Sequence, residues 1–226
     1  MEKIQEYYQD WMFRLSTLSD GRDLAIEQSF FDDSLNILIE GGHSFNGSEE
    51  DGESIDGYKY TPFKSRGLRI DGYEYIKDRQ IINLYVCDFN HDLNNLKTIT
   101  KTEINQLFSN TKNFFEKSLN ENFIEQLEKE VQKEALEVAR FIFDFDEQIS
   151  EVNFVLLTNC IISKSIKSLL VDSDDYFSGL PTYIEVWDVG RFYANEESTE
   201  ESESIIIEFL KPLPTLSATL DNAKYH

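Results

Sequence analysis

Two aspartates stand on neighbouring predicted strands of the 226-residue chain, and their spacing suits metal chemistry. Asp71 lies in the segment Arg69 to Tyr73, and Asp88 lies near the end of the apolar segment Ile81 to Phe89. Glu27, on a helix predicted upstream, adds a third carboxylate. Carboxylate oxygens are the ligands that Mg²⁺ prefers, and a bound metal ion can activate water for hydrolysis. Asp71 and Asp88 are therefore the candidate metal ligands and catalytic residues, Glu27 is a further candidate catalytic carboxylate, and Mg²⁺ is the candidate cofactor.

The elements around these residues follow the order helix, three strands, helix, strand. We expect strands near residues 57–63, 68–76 and 81–89, after a helix that runs from about 20 to 40 and is capped by Ser19 or Asp20. This order is similar to the core of restriction-endonuclease-like nucleases. Those enzymes hold a divalent metal with an acidic residue on the second strand and an acid-x-Lys pair on the third.

The third strand departs from the acid-x-Lys pattern. Positions i and i+2 of a strand share one face, so the acid and the lysine of such a pair reach the same metal. Here Asn90 stands two residues after Asp88, and the register Cys87-Asp88-Phe89 offers neither group. Three interpretations stay open: a metal-dependent nuclease, a site that binds without cleaving, and purely structural roles for Asp71 in a strand kink and Asp88 at a strand end.

A basic and aromatic window at residues 59–79 contains the residues that we expect to contact nucleic acid: Lys64, Arg66, Arg69, Lys77 and Arg79. The alternative is an exposed hairpin whose basic side chains balance an acidic body.

The overall charge narrows the function classes. The chain has 43 Asp+Glu against 21 Lys+Arg and a formal net charge of −22, which excludes a general nucleic-acid coat and disfavours an anionic membrane surface. Its apolar runs are strand-sized, well below the ~18–20 residues of a membrane span. The two cysteines, Cys87 and Cys160, make no disulfide framework. We therefore expect a cytoplasmic protein with free thiols and no membrane partner.

The remaining pattern predicts an α/β fold with a mixed sheet and helices on both faces. We expect an N-terminal helix over 2–17, a helix to about 119 opened by a Thr100–Glu103 capping box, and a long helix over 121–147. Further strands are expected over 152–158, 169–171, 182–187 and 204–209, with a helical turn at 189–193 and acidic loops at 43–56 and 196–203. In domain terms, residues 1–19 form an N-terminal helix and residues 20–226 one α/β domain.

Four ordered stretches resemble the N-terminal region of the AIPR family, the abortive-infection phage-resistance proteins of bacteria. They are residues 69–73 with 83–89, residues 98–104 with 113–116, residues 183–193, and residues 205–209 with 212–214. The third contains Trp187-Asp188-Val189-Gly190-Arg191-Phe192-Tyr193, similar to a recurring family motif. In this motif we expect Trp187 and Phe192 in the core and Asp188 as a helix cap.

The resemblance implies a bacterial cytoplasmic defence protein. Family members are longer, so the chain is expected to be the N-terminal part of a longer protein whose C-terminal region is absent. We expect a sensing, regulatory or interaction module with a degenerate nuclease-like core, and the alternative is a Mg²⁺-dependent nuclease of the restriction-endonuclease-like class. A third interpretation is a domain that only positions the C-terminal region. The expected partner is another protein or that C-terminal region.

Overall fold

The structure is a computed structural model, and it describes residues 2–42, 57–163 and 176–201. Three sequence expectations lie outside these residues: the acidic loop at 43–56 and the strands at 169–171 and 204–209.

A mixed six-stranded sheet forms the centre of the fold, with the strand order β1-β2-β3-β5-β8-β7. Its strands are β1 (Lys59–Ser65), β2 (Leu68–Ile76), β3 (Ile81–Asp88), β5 (Glu151–Thr158), β7 (Tyr176–Phe177) and β8 (Leu180–Trp187). β1, β2 and β3 pair antiparallel, whereas β3, β5 and β8 run parallel and β7 closes the far edge antiparallel. The short strands β4 (Thr98–Ile99) and β6 (Ile161–Ile162) pair parallel in a separate ribbon.

Helices cover both faces of this sheet, as the sequence predicts. α1 (Glu2–Arg22), α2 (Ile26–Glu40) and α6 (Val189–Glu201) lie on one face. α3 (Lys101–Ser118), α4 (Glu121–Lys129) and α5 (Lys133–Phe145) lie on the other. We call these the α2 face and the α3 face. The α/β class with a mixed sheet is thereby confirmed.

The side chains of each strand alternate between two hydrophobic cores, because successive side chains of a strand point to opposite faces of the sheet. Along β3, Leu84 and Val86 belong to the core of the α3 face, and Tyr85 and Cys87 belong to the core of the α2 face. This alternation decides which chemistry each face of the hairpin presents.

Several element boundaries differ from the expected ones. α1 continues to Arg22, so Ser19 and Asp20 lie inside it, and α2 starts after Ala25 with no side-chain cap. The helix expected over 121–147 is broken at Val131, which has a φ of 57°. The acidic residues from 196 are helical as far as Glu201, because α6 packs against α1 and α2 instead of ending at Tyr193.

Within the described residues, none of the helices is both long enough and apolar enough to cross a bilayer.

Candidate functional site

Asp71 lies in β2 as a buried carboxylate with two strong donors. Its Oδ2 accepts a hydrogen bond from the Cys87 backbone N–H at 2.7 Å and from Arg69 Nε at 2.9 Å. Arg69 also donates to the Cys87 carbonyl, so it ties β2 to β3. Burial raises the pKa of the Asp71 carboxyl, and the charge of Arg69 and the Cys87 N–H partly oppose that rise. The carboxylate thus holds the end of the hairpin together.

Asp88 lies at the end of β3 and faces the other way. Its Oδ2 is 3.5 Å from Thr158 Oγ1 and 3.7 Å from Cys160 Sγ, and Cys160 belongs to the core of the α3 face. Burial raises the pKa of Cys160 to about 11, so this thiol stays protonated near neutral pH. Asp88 therefore belongs to the junction between β3 and β5.

The two aspartates lie on opposite sides of the sheet. Asp88 shares the side of Val86, and Asp71 lies near Tyr60 and Cys87 of the α2 face. The β3 residues that face Asp71 are thus Tyr85 and Cys87 rather than an acid and a lysine. The structure does not bring Asp71 and Asp88 together around one point.

Glu27, near the start of α2, is a carboxylate on the same side of the sheet as Asp71. Burial raises the pKa of the Tyr60 hydroxyl, and the neighbouring Cys87, Asp71 and Glu27 side chains raise it further. Glu27 Oε1 lies 3.4 Å from His91 Nε2 in a solvent-exposed pair. Glu27 and Asp71 therefore both interact electrostatically with the Tyr60 hydroxyl, but their other partners differ.

A metal fits poorly between these residues. Among the described residues, no group of three or more His, Cys, Asp or Glu side chains is arranged to hold a metal ion. Arg69 already supplies the positive charge next to Asp71. The roles of Asp71, Asp88 and Glu27 as catalytic or metal-binding residues stay predictions.

The five basic candidates fall into two separate groups. Lys64 and Arg66 are exposed at the β1–β2 turn, and Arg69 near them is half-buried in its pair with Asp71. Lys77 and Arg79 lie in the 3₁₀ turn at the opposite end of β2. With about 3.3 Å of rise per strand residue, the two groups are about 25 Å apart. They form two small patches, and nucleic-acid contact at either stays a prediction.

The Trp-Asp-Val-Gly-Arg-Phe-Tyr motif builds the junction between β8 and α6. Trp187 and Phe192 are buried with their ring centroids 5.5 Å apart, as expected from the sequence. Asp188 accepts a hydrogen bond from the Arg191 N–H at 2.9 Å, which confirms the expected helix cap, and another from the Ile162 N–H at 3.0 Å. The Arg191 guanidinium stacks on Trp187 at 3.7 Å. These contacts give the motif a structural role.

Sequence reasoning missed a polar row that crosses the α2 face. Glu74, Asn83, Asn153 and Tyr183 are register partners on four neighbouring strands. Asn83 donates to Glu74 at 2.8 Å, and Asn153 donates to Asn83 at 3.0 Å. A groove of about 320 Å³ lies over this row. The signal in the sequence was the one asparagine inside each of the apolar stretches 81–87 and 152–157.

The fold and the hairpin define an α/β domain in which Asp71 and Asp88 contact groups of the neighbouring strands. Residues 30–194 match the family model of the abortive infection phage resistance protein N-terminal domain, which covers well over half of the chain. The chain therefore belongs to this family, and membership gives it a role in abortive infection and phage resistance. No curated protein and no solved structure matches the chain.

Proposed function

We propose that this chain acts in bacterial phage defence as a sensing, regulatory or interaction module built on a degenerate restriction-endonuclease-like core. The element order supports this proposal: α2, the antiparallel strands β1 to β3, the helices α3 to α5, and β5 parallel to β3. We place it in the cytoplasm, with another protein or the C-terminal region of a longer chain as its partner.

One observation is the main argument against nucleic-acid cleavage by this hairpin. The positions of β3 on the Asp71 side are Tyr85 and Cys87. A nuclease of this class needs a carboxylate to share the metal and a lysine to orient the attacking water at these two positions. Burial also raises the pKa of Cys87 well above its ordinary value, so its thiol is not an anionic metal ligand near neutral pH.

The second candidate is a Mg²⁺-dependent nuclease that uses Asp71, Asp88 and Glu27. The observation that favours it is the shared influence of Asp71 and Glu27 on the Tyr60 hydroxyl, which places two carboxylates on one side of the hairpin. The exposed Lys64 and Arg66 at the nearby turn would contact a phosphate backbone.

The deciding experiment incubates the protein with single-stranded DNA, duplex DNA or RNA in Mg²⁺ or Mn²⁺. We use Asp71→Asn because the amide keeps the shape of the carboxyl, and Asp88→Asn for the second aspartate. Asp92→Asn is the matched control, since Asp92 is an exposed loop residue and the charge change is the same.

We expect no metal-dependent cleavage by the wild type or by any variant. Cleavage that is lost in Asp71→Asn and kept in Asp92→Asn would overturn the proposal and establish the nuclease. Metal-dependent cleavage that both hairpin variants retain would show that the chain is a nuclease through a different site, which also contradicts the proposal.

A further inference from the structure

The groove of about 320 Å³ lies on the α2 face, over the polar row of the sheet. At the carboxyl ends of the strands, α1, α2 and α6 cover this face and bury Cys87, Leu157 and Trp187. The groove lies towards the amino ends of the strands, where Asn83 and Asn153 are among its lining residues. Its volume is at the lower end of the range of small-molecule sites, so its size suits a small ligand.

The hydrogen bonds beneath the groove consume donors and leave acceptors. Asn153 Nδ2 donates to Asn83 Oδ1 and to Glu151 Oε1, both at 3.0 Å, and these bonds use both of its hydrogens. Asn83 Nδ2 and the Tyr85 hydroxyl each donate to the buried Glu74 at 2.8 Å. An amide oxygen has two acceptor positions, so Asn83 and Asn153 still offer oxygen atoms to a ligand. The floor therefore favours a ligand that donates hydrogen bonds.

The charged residues around the groove favour a cation. Glu151, Glu185 and Arg79 line it, and the carboxyl group of Glu74 lies behind its floor. Arg191 approaches Glu185 only to 3.9 Å in an exposed pair, which offsets little of its charge. The field of a chain with a formal net charge of −22 adds to the attraction for a positively charged ligand.

The two lining carboxylates are far enough apart to hold two ammonium groups of one molecule. Glu185 of β8 is the register partner of Val155 of β5, and Val155 follows Glu151 by four residues. With about 3.3 Å of rise per residue and about 4.8 Å between strands, the Cα atoms of the two glutamates are about 14 Å apart. A flexible linear molecule with an amine at each end can contact both side chains.

Apolar and aromatic groups of the groove suit the alkyl chain of such a molecule. Leu38, Ile81 and Val155 supply aliphatic surface. Tyr183, the register partner of Asn153, is 61% exposed, so its ring offers a face to an ammonium group. An alkyl amine thus matches the acceptors, the charges and the apolar surface together.

We propose that this groove binds a protonated linear diamine or polyamine. One ammonium group pairs with Glu151 and another with Glu185, and the alkyl chain lies over Val155 and Tyr183. The site is separate from the end of the hairpin that contains Asp71, so it goes beyond the function proposed above and does not depend on it.

Calorimetric titration of the full chain with spermidine tests this site. The titration is done in about 150 mM salt, where exposed charges more than about 8 Å apart are largely screened. Glu151→Gln with Glu185→Gln removes both charges and keeps the shape of the side chains. The control is Glu134→Gln with Glu147→Gln, which makes the same charge change at two exposed residues outside the groove.

We expect the wild type to bind one spermidine with saturation. The groove variant should bind about 10-fold more weakly or worse, because each ammonium group loses a charged partner, and the control should stay within about two-fold of the wild type. Equal weakening in the two variants would reduce the effect to the acidic surface as a whole and overturn the proposal. A titration without saturable binding would overturn it as well.

Comparison of putrescine with butylamine tests whether both ends are recognised. Butylamine has the same alkyl chain with a single ammonium group, as in a lysine side chain. We expect it to bind about 10-fold more weakly than putrescine or worse, since one charged contact is missing. Equal affinities would contradict a diamine site and indicate a single ammonium group, such as a lysine of a partner protein.

Tyr183→Leu provides a variant whose folding is not in question, because the side chain is largely exposed. Loss of the ring should weaken spermidine binding about two- to five-fold. Tyr176→Leu is the matched control, since Tyr176 is 67% exposed and does not line the groove. The same affinity in both variants would contradict the proposed position of the ligand.

Discussion

At the scale of single residues, the main feature of the β2–β3 hairpin is the buried carboxylate of Asp71. Asp71 is buried, and its partners are the Arg69 guanidinium and the Cys87 N–H. Desolvation still outweighs these partners, so the pKa of the carboxyl is raised in the folded protein. The consequence is a pH dependence of stability with a definite sign.

We predict that Asp71 makes the fold less stable as the pH rises from about 4, the pKa of an aspartate in an unfolded chain. Between that value and the higher folded pKa, the folded state binds more protons than the unfolded state, so the free energy of unfolding falls. The wild type should lose stability relative to Asp71→Asn over this range and level off above the folded pKa. Urea unfolding across the acidic range measures this difference.

Asp92 supplies the control of opposite sign. Hydrogen bonds from the Asn95 side chain and the Asn94 N–H lower the pKa of its carboxyl. Its contribution to stability is therefore present above about pH 4 and is lost as the pH falls below it. The difference in the free energy of unfolding between wild type and variant should therefore change with pH in opposite directions for Asp71→Asn and Asp92→Asn. The same direction for both variants would contradict the assigned pKa shifts.

Gly72, the neighbour of Asp71, is required by close packing. A Cβ at this position would meet the Phe31 ring and lie 2.6 Å from the Lys59 carbonyl oxygen. We predict that Gly72→Ala lowers the free energy of unfolding by about 1–3 kcal/mol, as overpacking does, measured by urea unfolding. Gly21→Ala in α1 has no heavy atom within 4 Å of the new Cβ and should stabilise by about 0.5–1 kcal/mol. An unchanged free energy of unfolding in Gly72→Ala would contradict this prediction and show that the Phe31 ring moves aside at no cost.

At the scale of elements, the break between α4 and α5 shows how one backbone angle divides a continuous apolar pattern. Val131 has a φ of 57° and is 69% exposed. The left-handed region costs a residue with a Cβ about 1–2 kcal/mol. The turn nevertheless lets Leu127 of α4 and Ala135 of α5 reach the same core.

We predict that Val131→Gly stabilises the protein by up to about 1 kcal/mol, because glycine removes the Cβ strain and little packing is lost. Thermal or urea unfolding measures the change. Glu130→Gly is the matched control: its φ is −83°, so glycine there should destabilise by about 0.5–1 kcal/mol. Destabilisation by both variants would contradict the strain at Val131.

At the scale of the whole molecule, a polar network joins the three helices of the α2 face. Arg14 of α1 donates to Asp33 of α2 at 3.0 Å and to Glu196 of α6 at 3.2 Å. Trp11 donates to Asp33 at 2.6 Å, and Tyr7 donates to Glu196. Because α1 lies outside the matched residues 30–194, this network ties it to the family domain.

We predict that Arg14→Met lowers the free energy of unfolding by about 1–3 kcal/mol, since both part-buried carboxylates lose their cation while the aliphatic packing is kept. Lys129→Met removes the exposed pair with Glu125 and should cost about 0.5 kcal/mol or less. Urea unfolding of the two variants makes the comparison. Equal costs would show that the network of α1 contributes no more than a surface pair.

Local signals in the sequence determined much of this protein. Alternating and continuous apolar runs identified the β2–β3 hairpin and β5, and Thr100 with Glu103 forms the predicted capping box. The motif around Trp187 indicated the family and its helix cap. These features depend on neighbouring residues, so a sequence carries them directly.

Only the tertiary structure decided which side chains from different strands lie on the same face of the sheet. The sequence places Asp71 and Asp88 on adjacent strands, but the tertiary structure sets them on opposite faces and leaves Tyr85 and Cys87 on the Asp71 side. The polar row through Asn83 and Asn153 joins strands about 70 positions apart, and an asparagine in one strand does not reveal its partner in the other. A shift of one residue exchanges every side chain between faces, so the chemistry of this sheet depends on long-range pairing.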